Sequence, residues 1–487
     1  VIWAAPPQAL NFEVLLPVEA AAEAGIEASV SGRLYVFLSR QARREPRFGP
    51  DWFAPEPFFG MDVRDWQPGT TRTLGPEADG FPGPLHQLPA GEYYVQAILD
   101  HGFYNQHHAR GVNNLYSEVR HCMLDPQSPQ SVALVVDRRV RAEPFPENEH
   151  VKEVVLRSEL LSQFHGREVV ERAAVVLPSS YWQRPEARYP VVYLIPGFGG
   201  SHRDALVYAR GAPPAGEGEV EFIRVMLSGQ CKWGHHVYAD SATNGPRGRA
   251  LIEELIPYID RTYRTVAQPT ARFVSGHSSG GWSSLWLQVT YPDTFGGVWS
   301  TSPDPVDFRD YQQVDLYANP PLSLYYDEQG GRRPIARRGT QPVLWYDAFG
   351  KMDDVLGRGG QLRSFEAVFS PLDDQGLPRK LWDRQTGRID PEVARAWQAY
   401  DIRLVIERNW QTLGPKLAGK LHIVTGSLDT FYLEGAVIKL SESLRALGSD
   451  AQIEIVPDKD HGSVLTPELV RRMRREMSQA YLKHHPP

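Results

Sequence analysis

The stretch that most constrains this chain is Arg272-Phe-Val-Ser-Gly-His-Ser-Ser-Gly-Gly-Trp282. A short apolar run enters Gly276-His-Ser-Ser-Gly280, and a helical pattern leaves it through Leu285 to Val289. The order reads as strand, sharp turn and helix around a G-x-S-x-G pentapeptide, the pattern called a nucleophile elbow. Geometry explains the residue types. A serine at the apex has an exposed hydroxyl and a crowded backbone, so Gly276 and Gly280 keep side chains out of the turn. The helix beyond it points free N–H groups at the apex and favours negative charge there. Without that setting the pentapeptide would be a glycine-rich turn with surface serines. The flanking strand and helix give it meaning.

A chain of 487 residues has room for two domains, or for one large domain with insertions. The formal net charge is −7, which argues against a nucleic-acid partner. No apolar run is long enough to cross a bilayer. Cys122 and Cys231 show no C-x-x-C spacing; they either pair or stay free thiols. His101, His107 and His108 read as a polar loop, since no carboxylate or cysteine spacing supports ligation. Neither a metal nor a cofactor is expected. The chain begins Val1-Ile-Trp-Ala-Ala-Pro-Pro7, which suits the trimmed end of an exported protein, periplasmic or secreted.

Residues 1–145 show strand-like runs at 10–16, 32–38, 92–99 and 131–136, separated by proline and glycine clusters. Aromatic and β-branched enrichment with that punctuation predicts a β-sandwich-like domain. Glu143-Pro-Phe-Pro-Glu-Asn-Glu-His150 is a proline-rich acidic linker. From 151 to 487 the pattern changes. Residues 151–163 and 169–177 read as two strands around Phe164-His-Gly-Arg167. Further strands fall at 189–195, 222–227, 297–300, 420–425 and 452–456. Helical periods fall at 248–263, after the elbow, near 436–447 and from about 467. Alternating strands and helices predict a mostly parallel sheet with helices on both faces and ligands at the carboxyl ends of the strands. Residues 303–417 are too many for an ordinary loop. They read as an insertion over that edge that contributes to substrate binding, though most of its aromatics should form a small core of its own.

A serine nucleophile needs a base, and the base needs an orienting acid. Ser278 is the candidate nucleophile. His461 lies between the last strand and the terminal helix and is the candidate base. Asp429 directly follows the penultimate strand and is the leading acid, with Glu434 as the alternative. Asp458 and Asp460 read as solvated loop residues. An oxyanion needs two fixed N–H donors. Ser279 follows the nucleophile and supplies one. Phe198, in Gly197-Phe-Gly-Gly200 after an apolar strand, supplies the other. That glycine cluster lacks the Gly-Lys-Ser/Thr ending of a phosphate loop. Trp233, His235 and His236 leave another strand end and are candidates for substrate contact.

These pieces carry a resemblance. Tyr193-Leu-Ile-Pro-Gly-Phe-Gly-Gly200, Tyr238-Ala-Asp-Ser-Ala-Thr-Asn-Gly-Pro246, Ser275-Gly-His-Ser-Ser-Gly-Gly281, Gly426-Ser-Leu-Asp429 and Asp460-His-Gly462 are similar to motifs of the Putative esterase (esterase D-type) family. That family of α/β-hydrolases includes feruloyl and enterochelin esterases, S-formylglutathione hydrolases and mycolyltransferases. The resemblance covers about 151 to 485. It implies an α/β-hydrolase fold, a Ser278–Asp429–His461 triad and oxyanion donors at Phe198 and Ser279. A β-sandwich ahead of the hydrolase domain is similar to the enterochelin esterase arrangement. The insertion departs from simpler members and leaves the substrate class open.

The expected activity is hydrolysis of a small-molecule or polymer-derived ester through an acyl-enzyme. Acyl transfer would use the same residues. A peptidase and a non-catalytic binding protein are further alternatives, although the latter often lacks a triad member and none is missing here. Oligomeric state is not legible.

Overall fold

The computed structural model describes residues 9–102, 107–212 and 214–486. The stretch Val1 to Pro7, on which the expectation of export rests, lies outside them. Chain contacts divide the molecule into two compact units. The first comprises 1–144, Cys231–Gly234 and Tyr346–Ser364. The second comprises Phe145–Gln230, His235–Trp345 and the chain from Phe365 onward.

The first unit holds a three-stranded sheet, with Asn11–Leu15 between Thr71–Leu74 and Ser131–Val135. It also holds a seven-stranded sheet around Val30–Ser39, Phe58–Trp66 and Gly91–Asp100. Side chains alternate along a strand. Phe12 and Val14 of the small sheet therefore share one buried cluster with Leu34, Val36, Val95 and Ala97 of the large one. The other set on the large sheet, Tyr35 and Phe37, is buried as well. Part of its cover is the helix Tyr346–Leu356. Arg33 Nε donates to the Val355 carbonyl at 3.0 Å and the Tyr35 hydroxyl to the Leu356 carbonyl at 2.6 Å. These are carbonyls that a helix end leaves without intrahelical partners. Phe349 meets Trp52 edge-on at 5.1 Å. The stretch 303–417, read as one insertion, is divided between the two units. Residues 346–364 group with the first unit because their buried face and helix end find partners there. Cys122 and Cys231 do not form a disulfide with each other.

The second unit is built on eight strands: β1 (Val151–Arg157), β2 (Val170–Val176), β3 (Val191–Ile195), β4 (Ile223–Leu227), β5 (Arg272–His277), β6 (Gly297–Thr301), β7 (Leu421–Gly426) and β8 (Gln452–Val456). Their order in the sheet is β1-β2-β4-β3-β5-β6-β7-β8. β2 runs against both neighbours, and the remaining pairs are parallel. β3, β5 and β6 are nearly continuous buried runs, as in parallel sheets covered on both faces.

The two strands read around Phe164-His-Gly-Arg167 do pair, but a helix, Glu159–His165, stands between them. Ser158 Oγ caps it by accepting from Leu161 N–H, and Gly166 closes it at φ 61°. Those are ordinary helix start and stop signals. The chain reverses its direction of travel across the sheet at β3. From there it goes to β4 on one side and then returns to β5 on the other. A crevice opens at the carboxyl ends of strands at such a switch point.

Candidate active site

β5 delivers Ser278 to that crevice. Its backbone sits at φ 60° and ψ −126°, a strained region for a residue with a side chain. Two glycines make the turn possible. A Cβ on Gly276 would stand 2.1 Å from the Gly280 carbonyl oxygen, and one on Gly280 would stand 1.9 Å from that of Ile195. The turn is tied down on the far side as well. Ser278 N–H donates to the Thr301 carbonyl at 3.0 Å, and the Ser278 carbonyl accepts from Trp282 N–H, in the helix Ser279–Thr290. The loop after β3 lies directly against the serine. A Cβ on Gly197 would be 3.3 Å from Ser278 Cβ. The next residue is Phe198, in a turn closed by Gly200 N–H on the Gly197 carbonyl at 3.0 Å. Ser279, the other expected donor, is fully buried at the start of its helix.

β7 delivers Asp429 and the loop after β8 delivers His461. His461 Nδ1–H donates to Asp429 Oδ2 at 2.7 Å. Asp429 is fully buried; its Oδ1 accepts from Phe431 N–H at 2.9 Å. The His461 ring lies 4.5 Å from that of His277, the residue before Ser278, and 5.1 Å from Phe431. Burial by itself would lower the His461 pKa. The hydrogen bond and charge of Asp429 outweigh it, so His461 titrates above its ordinary 6.5. His277 goes the other way. Burial, then repulsion from His461, holds it down to about 4, so it packs as a neutral ring. Glu434, the alternative acid, is turned elsewhere and pairs with Arg337 at 2.6 Å. Asp458 and Asp460 do not take the bond to His461 Nδ1. Asp460 instead caps its own loop through Gly462 and Ser463 N–H.

Sequence reasoning missed Asp304. It follows β6, and its Oδ2 accepts from Ser279 Oγ at 2.5 Å. Burial pushes its carboxyl up to about 6, against the bond from Ser279. Its backbone N–H also faces the Ser278 carbonyl at 3.3 Å. It thus braces the residues on both sides of the 278–279 peptide. Its position directly after a strand that neighbours the elbow strand was the available signal.

Of the three residues expected to touch substrate, two are enclosed by the scaffold. His235 and His236 are buried, with 1% and 2% of their surface exposed. His235 Nε2–H donates to the Pro196 carbonyl at 3.1 Å, while its Nδ1 accepts from Val237 N–H. Burial holds its pKa down to about 4, so it stays neutral in that tautomer. It supports the backbone that leads to Gly197 and Phe198. His236 Nδ1 accepts from Tyr238 N–H. Both rings are therefore used inside the scaffold, and the substrate-contact expectation for them is corrected. Trp233 falls in the first unit and is half-buried. Among the described residues no group of three or more His, Cys, Asp or Glu could hold a metal ion.

An eight-stranded sheet in this order, with a serine elbow after β5, an acid after β7 and a histidine after β8, defines an α/β-hydrolase. The model of one family, described as "Putative esterase", matches residues 171–461. That is more than half of the chain, and the chain belongs to this family.

Two curated relatives, Esterase MT1326 and Esterase Rv1288, come from two strains of Mycobacterium tuberculosis. Each is 31% identical over 151 residues, covering 30% of this chain and 32% of the relative. The match thus spans about a third of their length. Similar solved structures include a ferulic acid esterase, 16% identical, with a TM-score of 0.42 over 69% of this chain and 100% of that one. An S-formylglutathione hydrolase from Agrobacterium tumefaciens is 13% identical, with a TM-score of 0.41 over 68% and 95%. At such distances the fold rests on the strand order itself.

Proposed function

We propose that the protein is a serine carboxylic-ester hydrolase acting through Ser278, His461 and Asp429. The observation that carries this is the 2.7 Å bond from His461 Nδ1–H to Asp429, with the same imidazole packed against the residue before Ser278. That bond leaves Nε2 as the proton acceptor. Ser278 Oγ attacks the ester carbonyl as His461 Nε2 takes its proton. The N–H groups of Phe198 and Ser279 receive the oxyanion. His461 returns the proton to the departing alkoxide, leaving an acyl-enzyme, and water activated by His461 then releases the acid. Asp429 holds the imidazole tautomer and stabilises the imidazolium without taking the proton. The elbow helix adds a favourable field at the oxyanion.

The partner this reading requires is a small-molecule or polymer-derived ester. Membership of an esterase family supports that substrate chemistry. Two sheets around one buried cluster support reading the first unit as a β-sandwich-like module that lends no triad member. The test is hydrolysis of an activated aryl ester by wild type and by Ser278→Ala. The variant should fold and lose turnover to the residual ~10³–10⁴ over water that binding and the oxyanion hole can supply. Near wild-type turnover in the variant would remove Ser278 from the mechanism.

A further inference from the structure

We propose that Arg337, carried by the insertion, is a positioning residue for the acid of the triad. The proposal rests on Asp429 being that acid. Arg337 sits on a two-stranded hairpin, Pro334–Arg338 with Gln341–Trp345, far from β7 in sequence. Its backbone N–H donates to the Thr430 carbonyl at 2.8 Å. Its Nε donates to the Asp429 carbonyl at 2.9 Å and its Nη2 to the Ser427 carbonyl at 3.4 Å. Nη2 also pairs with Glu434 Oε1 at 2.6 Å. The guanidinium carbon lies 4.5 Å from the centroid of the Tyr432 ring. One side chain therefore joins the turn before the acid, the acid's own carbonyl and the start of the next helix.

The turn needs such a clamp. Tyr432 holds φ 58°, which a residue with a side chain adopts only when its surroundings impose it. Asp429 Oδ1 is committed to Phe431 N–H within the same turn, so the direction of Oδ2 follows the turn's backbone. Arg337 fixes that backbone from outside. A planar fork suits three acceptors spread around one side chain, whereas a lysine ammonium presents its donors from a single point. The ion pair is largely buried, with 12% and 16% of the two side chains exposed, so solvent does little to replace it. Arg337 touches no reacting atom and acts only by aiming Asp429 at His461.

Arg337→Gln, Arg337→Lys and Glu434→Gln in the full chain test this. Loosening the turn misplaces Oδ2, and a ~1 Å misplacement costs about 10²-fold in rate. We expect Arg337→Gln to lower kcat by about that factor with KM little changed. Arg337→Lys should recover part of the loss. Glu434→Gln removes the ion pair but leaves the two bonds to main-chain carbonyls, and should cost far less. The readout that a purely structural role would not move is the His461 pKa. It is raised chiefly by Asp429, so it should fall in Arg337→Gln, both in the acid limb of kcat/KM and in an NMR titration of the imidazole. A folded Arg337→Gln protein with wild-type kcat and an unmoved His461 titration would overturn the proposal. If that variant fails to fold, Arg337→Lys carries the same comparison. The NMR titration needs no turnover, so loss of the hydrolase reading would be distinguishable from loss of the clamp.

Discussion

Asp429 and Glu434 both follow β7, but their side chains meet different partners. Asp429 ends at His461 and Glu434 ends at Arg337. Asp429→Asn should therefore lower turnover by a factor on the order of 10⁴, because the amide no longer selects the imidazole tautomer. Glu434→Gln should act far more weakly. A severe loss for Glu434→Gln beside a mild one for Asp429→Asn would reverse the assignment. The same pair sets a pH dependence. His461 must be neutral to accept the serine proton, and Asp429 raises its pKa above 6.5. kcat/KM should thus fall as pH drops through a value above 6.5. In Asp429→Asn the residual activity should persist to lower pH.

At this scale Ser278, Asp429 and His461 could be singled out as candidates because each lies within five residues of the end of an apolar strand, and strand ends meet at one edge. Asp304 shared that strand-end signal but was missed, and Arg337 had no such signal. Arg337 contacts a turn 92 residues away in sequence, and no local pattern encodes such a distance. His235 and His236 looked available because polar residues at a strand end usually are. Their neighbours bury them.

Among the elements, the elbow shows why its glycines are tied to the fold as well as to the chemistry. Gly280→Ala would set a methyl 1.9 Å from the Ile195 carbonyl oxygen. Helix or strand must then shift. The cost should reach about 3 kcal/mol, the upper end for overpacked sites, and the loop of Gly197 and Phe198 next to Ile195 would move with it. Thermal melting and ester hydrolysis should both deteriorate; a variant with wild-type values would show that the close approach is not obligatory.

Element type was readable wherever apolar runs had a clear period. It failed at Glu159–His165, where a short helix lies between two strands and its Ser158 and Gly166 signals were passed over. Inside 303–417 many of the elements are short, such as the five-residue strands of the Arg337 hairpin and the helix Pro391–Trp397. Short segments leave too few turns or alternations to declare a period.

On the scale of the whole molecule, the chain does not divide at a single linker. Residues 346–364 leave the second unit's sequence and pack within the first. Deleting 1–144 would strip Phe349, Met352, Val355 and Leu356 of the sheet that covers them. A fragment starting at Phe145 should therefore be less soluble and melt lower than the full chain. Replacing 346–364 by a short polar linker in that fragment should restore solubility. A fragment that is well behaved with 346–364 intact would show that this segment does not depend on the first unit.

The proposed mechanism requires Ser278 to be an activated nucleophile served by His461 and Asp429. It is tested most directly by reaction of the full chain with a fluorophosphonate, followed by mass-spectrometric mapping of the adduct. A single adduct on Ser278 is expected, absent from Ser278→Ala and formed far more slowly in Asp429→Asn. An adduct on another residue, or ester hydrolysis that continues with Ser278 unlabelled, would contradict it.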